Sequence, residues 1–228
     1  MRAHWFRGRG FGDHLTETLL PLLGVPVEWA PAGQARLLGC GSIISHLPDT
    51  GWSGIVLGSG LIRAGLTRDL RRAEVLCVRG PLTRDACHLP DSTAFGDLGL
   101  LSDMLLDGPK GGGGPAVVPH YVDREMTLRH PGLPVVDVCG TPAQVVNRMA
   151  GHDLIFTSSL HGLICADVLG IPHVWEPCAG VIGGGFKFRD YAMSLGGDVR
   201  PGLRHLSDRH RLFDAQQTVR QAVQSLLP

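Results

Sequence analysis

The sequence predicts an α/β protein with parallel sheets, divided into two lobes. Three observations carry that reading. Short apolar runs rich in Val and Ile lie at 55–57, 75–78, 116–118, 135–138, 154–156 and 173–175. Many are followed by Gly, Ser or Thr and then a helical pattern, as expected for parallel strands covered on both faces. Between the second and third runs, Gly108-Pro109-Lys110-Gly111-Gly112-Gly113-Gly114-Pro115 has no side chain able to build a core.

The elements follow in chain order. The N-terminal α/β lobe, 1–107, holds the runs 55–57 and 75–78. Gly80-Pro81 opens a helix toward His88, with Pro at the first helical position. Asp97 is placed to cap the apolar stretch 98–106. The stretch 108–115 reads as a flexible connector, the alternative being a surface loop within one domain. In the C-terminal lobe, 116–207, Thr141-Pro142-Ala143-Gln144 offers an N-cap, a Pro at the first helical position and a capping-box Gln. The segment 208–228 is a C-terminal amphipathic helix: Leu212, Ala215, Val219, Ala222, Val223 and Leu226 recur on one face.

Composition narrows the functional classes. Lys+Arg and Asp+Glu both total 21 of the 228 residues, and no basic block occurs. General nucleic-acid binding, which depends on many Lys/Arg–phosphate contacts, is therefore not expected. The six cysteines form no CxxC pair or metal-finger spacing, and most sit in or beside apolar runs as small hydrophobes do. No metal site is expected. MRAHWFRGRG has no signal-peptide pattern, and no run of about 18 apolar residues occurs. A cytoplasmic protein without a transmembrane segment is expected, with peripheral membrane association left open.

Two stretches point to chemistry. In Asp153-Leu154-Ile155-Phe156-Thr157-Ser158-Ser159-Leu160-His161-Gly162, a buried strand leads through hydroxyl residues into a helix. The helix start attracts an anion. Ser158 or Ser159 would cap the helix or bind phosphate oxygens, and His161 would stand beside the anion as a proton donor. In Val75-Leu76-Cys77-Val78-Arg79-Gly80-Pro81, Arg79 follows a strand at a helix entry. Its fork suits a carboxylate or phosphate; pairing with a neighbouring acid is the alternative. Gly12 and Asp13 lie in a candidate backbone loop, with an ordinary capped turn as the alternative. His120 ends the run 116–118, and Lys187 closes the glycine-rich stretch Gly183-Gly184-Gly185-Phe186. HExxH, GxSxG and P-loop patterns are absent from the sequence.

Together these segments resemble the polysaccharide pyruvyltransferase family. The specific matches are Val78-Arg79-Gly80-Pro81-Leu82-Thr83 and Thr157-Ser158-Ser159-Leu160-His161-Gly162-Leu163-Ile164-Cys165-Ala166-Asp167. Supporting matches are Phe11-Gly12-Asp13, the segment 39–44 with Gly58-Ser59-Gly60, Gly96-Asp97, Pro119-His120-Tyr121 and Lys187-Phe188-Arg189-Asp190-Tyr191. The resemblance implies two Rossmann-like lobes arranged as in GT-B glycosyltransferases, with the C-terminal helix crossing back to the N-terminal lobe. It implies transfer of a pyruvyl group from phosphoenolpyruvate, a donor substrate rather than a cofactor, to a sugar, nucleotide-sugar or lipid-linked glycan, usually as a cyclic ketal. His161 matches the family's catalytic acid and Arg79 its phosphoenolpyruvate-binding arginine; Asp13 is a candidate base. Many members carry Arg where this chain has Ser159. The rival readings are a GT-B-type glycosyltransferase using a sugar nucleotide and a non-catalytic ligand-binding homologue.

Overall fold

Two β-sheets organise the chain in the computed structural model, which describes residues 1–49, 51–123 and 125–227. The first sheet is built from β1 (Arg2–His4), β2 (Glu28–Trp29), β3 (Leu37–Leu38), β4 (Ile55–Ser59) and β5 (Glu74–Val78). Its order is β2-β1-β3-β4-β5 and every pairing is parallel. The second contains β6 (Pro115–Val118), β7 (Leu154–Thr157), β8 (His173–Trp175) and β9 (Arg204–His205), in that order. Its first two pairings are parallel, but β8 and β9 run antiparallel. All five residues of β4 are buried, as the uninterrupted apolar composition of an inner parallel strand requires.

Helices fill the connections: α1 (Leu15–Leu22), α2 (Pro81–Ala86), α3 (Met126–Arg129), α4 (Pro142–Ala150), α5 (Leu160–Leu169), α6 (Phe186–Ser194) and α7 (Arg209–Gln224). The capping box at α4 is formed. Gln144 N–H donates to Thr141 Oγ1 at 3.3 Å, and Thr141 N–H to Gln144 Oε1 at 3.0 Å. In α7, the Asp208 carboxylate accepts from the amides of His210 and Arg211. The apolar face of α7 packs on β4, β5 and the 3-10 segment Leu98–Leu105.

That 3-10 segment lies at the centre of the molecule. Leu98, Leu100 and Leu101 are fully buried between α1, α4, α5 and α7, and one apolar cluster runs through both sheets. A second cluster, including Leu38, Ile44, Val56 and Val78, covers the other face of the first sheet.

Two expectations are corrected here. The run 135–138 is not a strand: Val135 makes one isolated bridge to Val117. Val136 and Val138 are buried, so their apolar character serves core packing. An Asp137 carboxylate accepting from Cys139 N–H at 2.9 Å turns the chain away from the sheet. The glycine tract is tied down rather than free. Gly111 and Gly113 donate to the carbonyls of Ala150 and Gly151, while Gly112 and Gly114 donate to the Asp153 carboxylate.

Candidate functional site

A cavity of about 570 Å³ opens where the carboxyl ends of the parallel strands converge. Its walls come from the turn after β1 (Gly12, Asp13), the loop after β3 (Cys40, Ser42, His46), the loop after β6 (His120, Tyr121), the start of α5 (Ser159, His161) and Lys187 of α6. The turn Phe11–His14 is held to the other half of the chain by Phe11 N–H donating to Val138 O at 2.7 Å.

His161 stands in the first turn of α5. Ser159 is the N-cap, its hydroxyl accepting from Gly162 N–H at 3.3 Å. Capping answers one of the unpaired first-turn amides and leaves the positive end of the helix open to the cavity. The imidazole Nε2 lies 3.1 Å from Cys40 Sγ and 3.9 Å from Asp97 Oδ1. Cys40 donates to that same carboxylate oxygen at 3.3 Å. Burial holds the Cys40 thiol well above its ordinary pKa, reinforced by the Asp97 charge, so the sulfur stays protonated. Its S–H points to Asp97 and its lone pairs receive His161 Nε2–H. The other nitrogen, Nδ1, is next to Gly12, where any Cβ would overlap the ring. Only glycine permits this approach.

Burial lowers the pKa of His161; the charges of Asp97 and Asp13 pull it up, and Lys187 and Arg79 push it down. The free protein therefore holds His161 neutral at pH 7. Asp13 shifts upward, chiefly through burial, with His161 opposing; its carboxylate accepts from Gly10 N–H at 3.2 Å. His120 is pushed down to about 4 by burial and then by Lys187 and His161, and its ring stacks on Tyr121.

Lys187 is buried in the cavity wall and makes no ion pair among the described residues. Burial, then the charge of Arg79, lowers its pKa to about 8, while Asp13 opposes the shift. At neutral pH it remains mainly a cation facing an open space.

Arg79 is placed differently from the expectation of a substrate grip. It is fully buried and absent from the cavity wall. Nε donates to Asp190 Oδ2 at 3.1 Å, one terminal nitrogen to Ser42 Oγ at 2.8 Å and the other to Leu61 O at 2.6 Å. Asp190 also accepts from Thr83 N–H and Oγ1–H. Arg79 thus reaches the cavity through Ser42 and through its positive field. Ser158 is likewise behind the wall, where its hydroxyl accepts from His120 N–H at 2.9 Å and fixes that loop. Gly12, Asp13, His120, Ser159, His161 and Lys187 do line the cavity.

Sequence reasoning gave Cys40 and His46 no role, although Cys40 lies in the matched segment 39–44, and read Asp97 first as a cap with a site role as the alternative; Asp97 does cap, accepting from Gly99 N–H at 2.8 Å. His46 completes a relay. His4 Nδ1–H donates to Ala30 O at 2.9 Å, so His4 Nε2 accepts from His46 Nδ1–H at 2.9 Å. Burial lowers both pKa values, leaving the pair neutral and His46 Nε2 as a hydrogen-bond acceptor.

Residues 50–177 match the family described as polysaccharide pyruvyl transferase. The chain belongs to the polysaccharide pyruvyl transferase family. The matched stretch contains Arg79, His120, Ser158, Ser159 and His161; Gly12, Asp13 and Lys187 lie outside it. Among relatives of this pyruvyl transferase family member is the succinoglycan biosynthesis protein ExoV of Rhizobium meliloti (strain 1021). It is 27% identical over 223 residues, covering 90% of this chain and 68% of that protein. The crystal structure of the uncharacterised protein KP1_0663 from Klebsiella pneumoniae subsp. pneumoniae NTUH-K2044 has a similar fold. The TM-score is 0.52 at 13% identity, over 85% of this chain and 88% of that one.

Proposed function

We propose that this chain moves a pyruvyl group from phosphoenolpyruvate to hydroxyls of a sugar or glycan, closing a cyclic ketal in the cavity around His161. The observation that carries the reading is Lys187, a buried ammonium without an ion-pair partner among the described residues, on the same cavity as His161 and the open end of α5. A buried unpaired charge is costly, and a small anion relieves that cost. Phosphoenolpyruvate brings both a carboxylate and a phosphate.

The chemistry follows from these positions. Anion binding raises the pKa of His161 and loads its proton. His161 protonates C3 of the enol, leaving an oxocarbenium-like C2. One acceptor hydroxyl adds to C2 and gives its proton to Asp13, whose raised pKa suits that task. Cleavage of the C2–O bond releases phosphate, with Lys187 and the α5 amides stabilising the departing charge. A second hydroxyl then adds to C2 and closes the ketal, returning its proton to His161, while the proton held by Asp13 leaves with the released phosphate. The proposal includes the GT-B-like arrangement of lobes 1–107 and 116–207, joined by 108–115, with segment 208–228 crossing back.

The test is incubation with phosphoenolpyruvate and UDP-sugars or lipid-linked glycans, read by mass spectrometry. A pyruvyl adduct with stoichiometric phosphate, formed only when phosphoenolpyruvate is present, is the expected result. Glycosyl transfer from the sugar nucleotide without phosphoenolpyruvate would replace the proposal with the glycosyltransferase reading. Binding without turnover would mark a non-catalytic homologue.

A further inference from the structure

We infer that Asp167, His173 and His205 form a binding site for a divalent transition-metal ion of the zinc class, separate from the catalytic cavity. Each offers one ligand atom, and the three atoms lie within 4.8 Å of one another. The arrangement has a structural origin. His173 and His205 are direct partners in the antiparallel β8–β9 pair, so their side chains share one face of the sheet. Asp167, near the end of α5, meets that face. The two imidazole centroids are 5.3 Å apart.

His173 is the observation that calls for a ligand. Its side chain is fully buried, yet neither ring nitrogen meets hydrogen-bond distance and angle with any of the described residues, the nearby Ile171 backbone giving the imidazole at most a poorly aligned contact. Its Nδ1 lies 3.6 Å from Asp167 Oδ1, too long for a hydrogen bond. A tetrahedral ion with bonds of about 2.0–2.1 Å separates its ligands by roughly 3.3–3.4 Å, close to this spacing. Two imidazoles and one carboxylate suit zinc, cobalt or nickel; magnesium and calcium favour all-oxygen sets.

The surroundings orient the carboxylate. Tyr191 O–H donates to Asp167 Oδ2 at 3.1 Å, and Ser207 N–H donates to Oδ1 at 3.2 Å. Such outer hydrogen bonds fix ligand direction in metal sites. His205 is partly exposed, which gives an ion a way in. None of the three ligands lines the catalytic cavity, and Asp167 lies six residues along α5 from His161, an axial rise of about 9 Å. An ion here would clamp edge strand β9 to α5 and, through Tyr191, to the helix that carries Lys187.

The experiment uses the full chain, free of any histidine tag, stripped with a chelator and returned to metal-free buffer. Zinc is titrated by calorimetry and cobalt by absorption. The expected result is one equivalent of cobalt with visible tetrahedral bands and no near-ultraviolet thiolate band. That absence separates this site from the Cys40–Asp97–His161 group, whose sulfur would give such a band. His205→Ala and His173→Gln should each weaken zinc binding by about tenfold or more. Should His173→Gln fail to fold, the partly exposed His205 decides the matter. Absence of saturable binding, a thiolate band at the first equivalent, or unchanged zinc affinity in His205→Ala overturns the assignment. Pyruvyl transfer is not part of the readout, so failure of either reading leaves the other standing.

Discussion

Replacing Asp190 by Asn would test whether Arg79 holds the site together from behind. The guanidinium is fully buried, with hydrogen bonds to Asp190, Ser42 and Leu61. The Asp190→Asn change would leave the buried charge unpaired and turn an amide N–H₂ toward Arg79 Nε–H or Thr83 N–H. Breaking a buried pair by removing one partner costs about 3–5 kcal/mol. At about 2–4 °C per kcal/mol for a chain of this size, Tm should fall by about 6–20 °C. Arg79→Lys should fall comparably, since one ammonium cannot reach three acceptors set out for a planar fork. The assay pairs thermal unfolding with calorimetric titration of phosphoenolpyruvate. Both variants should lose stability and bind phosphoenolpyruvate more weakly in parallel, because Ser42 and the local field shift with Arg79. An Arg79→Lys protein that melts as the wild type does but loses phosphoenolpyruvate binding would refute this account. So would an Asp190→Asn protein that binds it more tightly, because a released guanidinium would then be gripping substrate directly.

Two further outcomes follow from the cavity. Gly12→Ala forces a methyl group into His161, so kcat should fall by about 10², and overpacking of about 1–3 kcal/mol should lower Tm by about 2–12 °C; unchanged kcat would show that the ring position is unimportant. At pH 7 burial keeps His161 below its ordinary pKa and neutral in the free protein, and a bound anion raises it. Phosphoenolpyruvate binding should therefore take up a proton and strengthen as pH falls toward 6. Calorimetry in buffers of different ionisation enthalpy measures this, and the same uptake in His161→Gln would contradict the assignment.

What the sequence disclosed was local. The Val-rich run of β5, the Thr141–Gln144 box and the apolar face of α7 are each specified within a few residues, and each stands in the structure. Strands β1, β2, β3 and β9 are only two or three residues long, too short for any periodicity to show. The apolar run 135–138 packs as core without a ladder, a distinction that composition does not encode. Arg79 shows the limit for sites. A strand-end arginine reads alike whether it faces substrate or a buried acid, and its partner Asp190 is 111 residues away. Cys40 and His161 meet across 121 residues, a contact that no local pattern in the sequence encodes.

The central claim is that His161 delivers a proton to C3 of phosphoenolpyruvate as its pyruvyl carbon passes to glycan hydroxyls. The most direct measurement is turnover in D₂O with phosphoenolpyruvate labelled with ¹³C at C2, followed by ¹³C and deuterium NMR of the product. The account predicts that the label moves from enol carbon to ketal carbon, that the new methyl group carries one deuteron, and that His161→Gln forms product about 10²–10⁴ more slowly. Ketal formed without deuterium in its methyl group, or formed at the wild-type rate by His161→Gln, would contradict it.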